Sequence, residues 1–187
     1  MSITSAKTGS TSLSLALENN FMEPIASTLV GAGGANAVIF NDIPQTYKHL
    51  QVRLTCALAS AVYDADIVMQ FNGDYANSYS KHRIYGSGSS VGVDYSGTLN
   101  YMQIARSGGA ASVFGAAIID ILDYTNTNKT KVVRSFFGQD SNGSGYMMIS
   151  SGLWNNTSPV TAIRINEANF TGSFAQHTRI SLYGMKG

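Results

Sequence analysis

Leu50-Gln51-Val52-Arg53-Leu54-Thr55-Cys56 decides the fold class, because apolar and polar residues alternate along its whole length. Successive side chains of an extended strand point to opposite faces. Leu50, Val52, Leu54 and Cys56 therefore share one face, and Gln51, Arg53 and Thr55 the other. That is the pattern of a strand with one side in a core and one in solvent. Downstream, Ile67, Met69 and Phe71 form a second inward set, closed by the turn residues Asn72-Gly73-Asp74. Val113 to Leu122 and Val132 to Phe137 flank Asp123-Tyr124-Thr125-Asn126-Thr127-Asn128, which reads as a hairpin with an extended loop. Further strands are expected from Tyr146 to Ser151, Thr161 to Ile165 and Arg179 to Tyr183.

No segment sustains a 3.6-residue period with caps, although Glu18 to Ala26 has room for a short helical turn. The expected fold class is all-β. Roughly six to eight strands separated by Gly, Asn and Ser turns suit a two-layer antiparallel sandwich of the jelly-roll kind. An immunoglobulin-like sandwich is the alternative, but the cysteine pair and usual tryptophan spacing of that fold are missing.

Upstream of this body, Met1 to Ser12 is Ser, Thr, Gly and Lys with a single Ile, too little apolar area to offset the entropy of ordering. Residues 1–34 are therefore read as an extended N-terminal arm and residues 35–187 as the sandwich domain. Within the arm, Leu13-Ser14-Leu15-Ala16-Leu17 alternates with period two. Leu13, Leu15 and Leu17 are candidate docking residues, able to add a strand to a neighbouring sheet.

Charged residues are 12% of the 187, about half the roughly 25% of an ordinary soluble protein. The surface is then largely neutral and polar, and a formal net charge of +1 sets little repulsion between copies. Nucleic acid is not an expected partner, since the 12 Lys and Arg are scattered and form no basic cluster. A membrane is not expected either: no apolar run reaches spanning length, and the opening residues lack an export signal. Cys56 is the lone cysteine, which excludes an intrachain disulfide.

Signals for chemistry are weak. His49, His82 and His177 stand in no metalloprotease or nucleophile pattern, so no catalytic residue, cofactor or metal is assigned. Asp74 with Asn72 and Asn77 offers some calcium-type oxygens without the spacing of a calcium loop. An acid pair for glycan cleavage requires a separation that sequence does not report. Aromatics are more suggestive: Tyr75, Tyr79, Tyr85, Tyr95 and Tyr101 crowd a stretch rich in Ser and Gly that reads as a binding loop. Tyrosine supplies stiff amphipathic contact area for a glycan or a subunit interface; capping the open ends of a sandwich is the competing reading. Trp154, beside Asn155 and Asn156, suits either stacking on a sugar or packing in a core.

Several short blocks resemble a known group. They are Asp42-Ile43-Pro44-Gln45-Thr46-Tyr47-Lys48-His49-Leu50, Phe71-Asn72-Gly73-Asp74 with Asn77-Ser78-Tyr79-Ser80-Lys81-His82, and Ile121-Leu122-Asp123-Tyr124 with Lys129. Ser151-Gly152-Leu153-Trp154 and Ser181-Leu182-Tyr183-Gly184 continue the set. Together, over about Val38 to Lys186, the chain resembles small structural proteins of tailed-bacteriophage virions. The resemblance implies a non-enzymatic component of the particle exterior, assembled in the host cytoplasm. A jelly-roll decoration or cement protein, homotrimeric and bound to the major capsid protein, is the leading expectation. A tail-fibre or tail-tip domain that binds host surface glycans is the alternative.

Overall fold

A computed structural model of the chain describes residues 21–59, 65–107 and 112–187. Leu13, Leu15 and Leu17 lie outside the described residues. The strands are β1 (Met22–Leu29), β2 (Ala37–Phe40), β3 (His49–Cys56) and β4 (Ala65–Phe71). Next come β5 (Tyr79–Gly86), β6 (Val91–Leu99), β7 (Met102–Ser107) and β8 (Gly115–Ile121). The last four are β9 (Lys131–Asp140), β10 (Gly145–Trp154), β11 (Ile163–Glu167) and β12 (Arg179–Met185).

They form two antiparallel sheets, one of eight strands in the order β1-β12-β3-β8-β9-β10-β5-β6 and one of four in the order β2-β11-β4-β7. The all-β, two-layer sandwich is thus as the alternation predicted. The chain crosses repeatedly from one layer to the other, as jelly-roll connections do. In β3 the side chains of Leu50, Val52, Leu54 and Cys56 are fully or almost fully buried, while Arg53 and Thr55 are exposed. The expected hairpin is β8 and β9, paired from Ala116 opposite Gly138 to Ile121 opposite Val133.

Among the described residues twelve strands replace the six to eight expected, and three differences have physical causes. Residues 22–29, counted with the arm and in part as a helical turn, are an edge strand of the large sheet: β1 pairs with β12 from Met22 opposite Met185 to Leu29 opposite Arg179. A bulge between Pro24 and Ala26 absorbs the proline, which has no amide to donate and is tolerated at such an edge. β2 has only four residues and no room to show a period. The tyrosine-rich stretch is not a loop but the β5–β6 hairpin followed by β7, in which serine and glycine occupy strand positions.

The core lies between the layers. Trp154, 1% exposed, packs edge-on to Phe71 at 5.4 Å and is stacked with Tyr79 at 6.4 Å between ring centroids. Each such aromatic removes enough apolar area from water to stabilise the fold by about 2–3 kcal/mol. β4 ends in a tight turn, in which the Asp74 amide donates to the Phe71 carbonyl at 2.8 Å. Asn72 and Gly73 both have positive φ, 52° and 68°, the conformation that asparagine tolerates and glycine adopts freely. Between β8 and β9, the buried Lys131 ammonium donates to the carbonyls of Asn126, Lys129 and Thr157 at 2.6–3.0 Å. Burial, and then the nearby Lys129 charge, pull its pKa below the usual lysine value.

Candidate functional site

The outer face of the eight-stranded sheet is polar at one end and apolar at the other. The register aligns one cross-strand row: Ser27, Ser181, Arg53, Ile118, Phe136, Ile149, Ile84 and Val93, one from each strand from β1 to β6. The first three are polar, and the Ser27 and Ser181 hydroxyls hydrogen-bond at 2.8 Å. The remaining five are apolar and all exposed, Phe136 by 51% and Val93 by 78%. Neighbouring outward positions extend the patch with Val132, Met147, Val91 and Tyr95. Side chains directly opposite on adjacent strands are about 5 Å apart, so the five apolar residues of the row form one continuous surface over five strands, with Met147, Val91 and Tyr95 beside it and Val132 beyond Arg134.

Monomeric soluble proteins rarely leave more than a few hundred Å² of contiguous apolar surface open. Here nine large side chains, each exposed by 40–78%, amount to on the order of 1,000 Å², well beyond that range. The sequence carries a trace of it in the doublets Ile118-Ile119, Val132-Val133, Phe136-Phe137 and Met147-Met148. One member of each faces the core and the other faces out, a departure from strict alternation that marks a strand apolar on both sides.

The fold disperses the tyrosines proposed from sequence. Tyr79 is 1% exposed, its hydroxyl accepting from the Phe71 amide at 3.0 Å and donating to the Asp74 carbonyl at 3.0 Å; burial raises its pKa. Tyr79 and Trp154 are core residues, and burial excludes both from contact with a glycan. Tyr85 points to the inner face of the hairpin, stacked with Tyr146 at 5.3 Å under the Arg83 guanidinium. Tyr95 points outward, stacked with His82 at 5.7 Å. Tyr75 is exposed in the turn before β5, and the half-buried Tyr101 has its pKa raised by burial and then by the charges of Asp66 and Glu167. Of the set, Tyr95 alone joins the apolar face.

Beneath that face, a charged cluster ties the β5–β6 hairpin to the small sheet. Lys81 Nζ donates to Gln103 Oε1 and meets Asp94 Oδ2, both at 3.0 Å. Arg83 grips Asp94 Oδ2 through Nε and a terminal nitrogen at 3.0 Å and lies 3.7 Å from Asp66, whose Oδ1 accepts from Gln103 at 2.5 Å. The bond from Lys81 holds the Asp94 carboxyl below its ordinary range; partial burial opposes this, and Arg83 reinforces it. A general acid for glycoside cleavage needs the opposite shift, so Asp94 is suited to holding the hairpin and not to proton donation.

Other sequence leads resolve into structure. Asp74 Oδ2 accepts from Trp154 Nε1 at 2.7 Å and Ser78 Oγ at 2.6 Å, and Oδ1 from the Ala76 amide at 2.9 Å. Burial works to raise its pKa, but these three bonds hold it below the usual carboxylate value. Asn72 Oδ1 is engaged by the Thr161 and Ala162 amides. Of the calcium lead, the Asp74 and Asn72 side-chain oxygens are thus bonded to the protein. His49 Nδ1 accepts the Asp123 amide at 2.9 Å, so this ring nitrogen is engaged by the backbone of the β8–β9 turn. Among the described residues, no group of three or more His, Cys, Asp or Glu is placed to hold a metal ion. Cys56 is buried and its thiol is pushed up to about 12.

No protein-family model matches the chain, and no curated protein matches its sequence. Among solved structures it is similar to SCLam, a non-specific endo-β-1,3(4)-glucanase from family GH16, with 11% identity and a TM-score of 0.26 over 80% of this chain. The chain spans 63% of that glucanase chain. So distant a likeness assigns no activity to this protein.

Proposed function

We propose that this chain is a structural subunit of a bacteriophage virion, a non-enzymatic decoration or cement protein on the capsid exterior. The observation that carries the reading is the apolar outer face from β8 to β6, far larger than a monomer ordinarily leaves in water. The low charge of the chain supports it, because docking then requires little desolvation of ions. The blocks resembling tailed-phage structural proteins give the assembly its kind, with the major capsid protein as partner and Leu13, Leu15 and Leu17 as the arm's contacts. The test is quantitative mass spectrometry of purified particles. The reading expects the chain at a stoichiometry comparable with the shell protein; its absence from washed particles would remove the reading.

A second reading, a tail-fibre or tail-tip domain that binds host glycans, draws on the exposed ring of Tyr95, stacked on His82. It expects a few copies per particle and binding of the purified chain to host cells that is lost in Tyr95→Ala.

A further inference from the structure

We infer that the apolar half of the outer face is a self-docking surface, seated against the same face of a second copy of this chain. The inference rests on the assembly reading above and names its first partner. Three observations select a second copy. Complete burial of the face would remove at most on the order of 1,000 Å² per partner, comparable with the roughly 800 Å² that one side of a standard stable interface buries. Its shape is an open antiparallel sheet, whose large side chains can interdigitate with those of another sheet about 10 Å away, as the two layers of a sandwich do.

Charge is the third observation. Beside the apolar row, Asp120 on β8 and Arg134 on β9 stand 3.8 Å apart and partly exposed. The two neutralise each other within one copy, so this pair sets no repulsion against the same face of a twofold copy, and a formal net charge of +1 adds little. One surface paired with itself closes after two copies, so the inference replaces the trimer implied by the resemblance with a twofold dimer.

The experiment is sedimentation analysis of the full chain over a wide concentration range, alongside Phe136→Glu and Ile149→Lys. Both side chains are exposed in the single copy, so the variants should fold, and circular dichroism with thermal melting checks that they do. The expected result is a reversible dimer that each substitution weakens at least about tenfold, as loss of a central apolar anchor does. Three results would each overturn the inference: a wild-type chain monomeric at its highest soluble concentration, folded variants that dimerise as wild type does, or dimerisation abolished by deleting residues 1–20 instead. If self-association fails while the chain is still found in purified particles, the virion reading stands and the face belongs to another particle protein. Absence from particles with an intact dimer removes the virion reading alone.

Discussion

Asp74 joins its own turn to β10 at one carboxylate, accepting from two partly buried donors, Trp154 Nε1 and Ser78 Oγ, and from the exposed Ala76 amide. Removal of the acceptor leaves Trp154 Nε1, Ser78 Oγ and the Ala76 amide without it. Asp74→Ala should therefore cost about 3 kcal/mol in urea unfolding, and Asp74→Asn less, since an amide oxygen keeps part of the set. Gly184 is constrained differently. The Tyr47 ring lies where a β-carbon would stand, and that ring is anchored by its hydroxyl on Glu23 at 3.0 Å. Gly184→Ala is expected to destabilise by about 2 kcal/mol through overpacking, and Gly184→Ala with Tyr47→Leu to recover part of the loss. At this scale the sequence was legible where one force acts alone: Leu50 to Cys56 could be read because its two faces meet different solvents. Trp154 and Tyr79 could not be assigned, because an aromatic ring suits a core and a contact equally and only the fold decides between them.

The β5–β6 hairpin is the element that sequence reading misjudged. Its serines and glycines signal turns, yet paired backbone and a charged underside make it sheet. Lys81 and Arg83 converge on Asp94, whose folded-state pKa is depressed by the bond from Lys81 and then by Arg83, against partial burial. A depressed carboxylate contributes stability above its unfolded pKa of about 4 and loses it as pH falls through the folded value. Thermal melts between pH 6 and 2 should thus show an acid-side loss that is smaller in Asp94→Asn. Neutral-pH stability of that variant should drop by roughly 2 kcal/mol, less than the loss for a fully buried pair because Asp94 is partly exposed. Unchanged acid sensitivity in Asp94→Asn would show that the hairpin is held by packing alone. At the start of β9, Lys131→Met strands two carbonyls of the β8–β9 loop and that of Thr157 and should cost roughly 3 kcal/mol, with the defect visible as fast amide exchange over residues 123–130.

Across the whole molecule the two ends of one sheet face behave as different surfaces. β1, β12 and β3 present Ser27, Arg179 and Arg53 to water, with Leu29 exposed beside them, while β8 through β6 present isoleucine, phenylalanine and valine. The doublets in β8, β9 and β10 held this information. Their outward members joined those of β5 and β6 in one patch only when two separate runs of the chain, β5–β6 and β8–β10, came into register through the β10–β5 pairing, because pairing order is a property of the fold and not of any segment. The most direct test of the central claim, that this face is buried in an assembly, is a cryo-electron microscopy map of the particle with the chain fitted into it. The account predicts Ile84, Val93, Phe136 and Ile149 packed against protein, with the polar end of the sheet toward solvent. Copies whose apolar face stands open to solvent throughout the particle would contradict it.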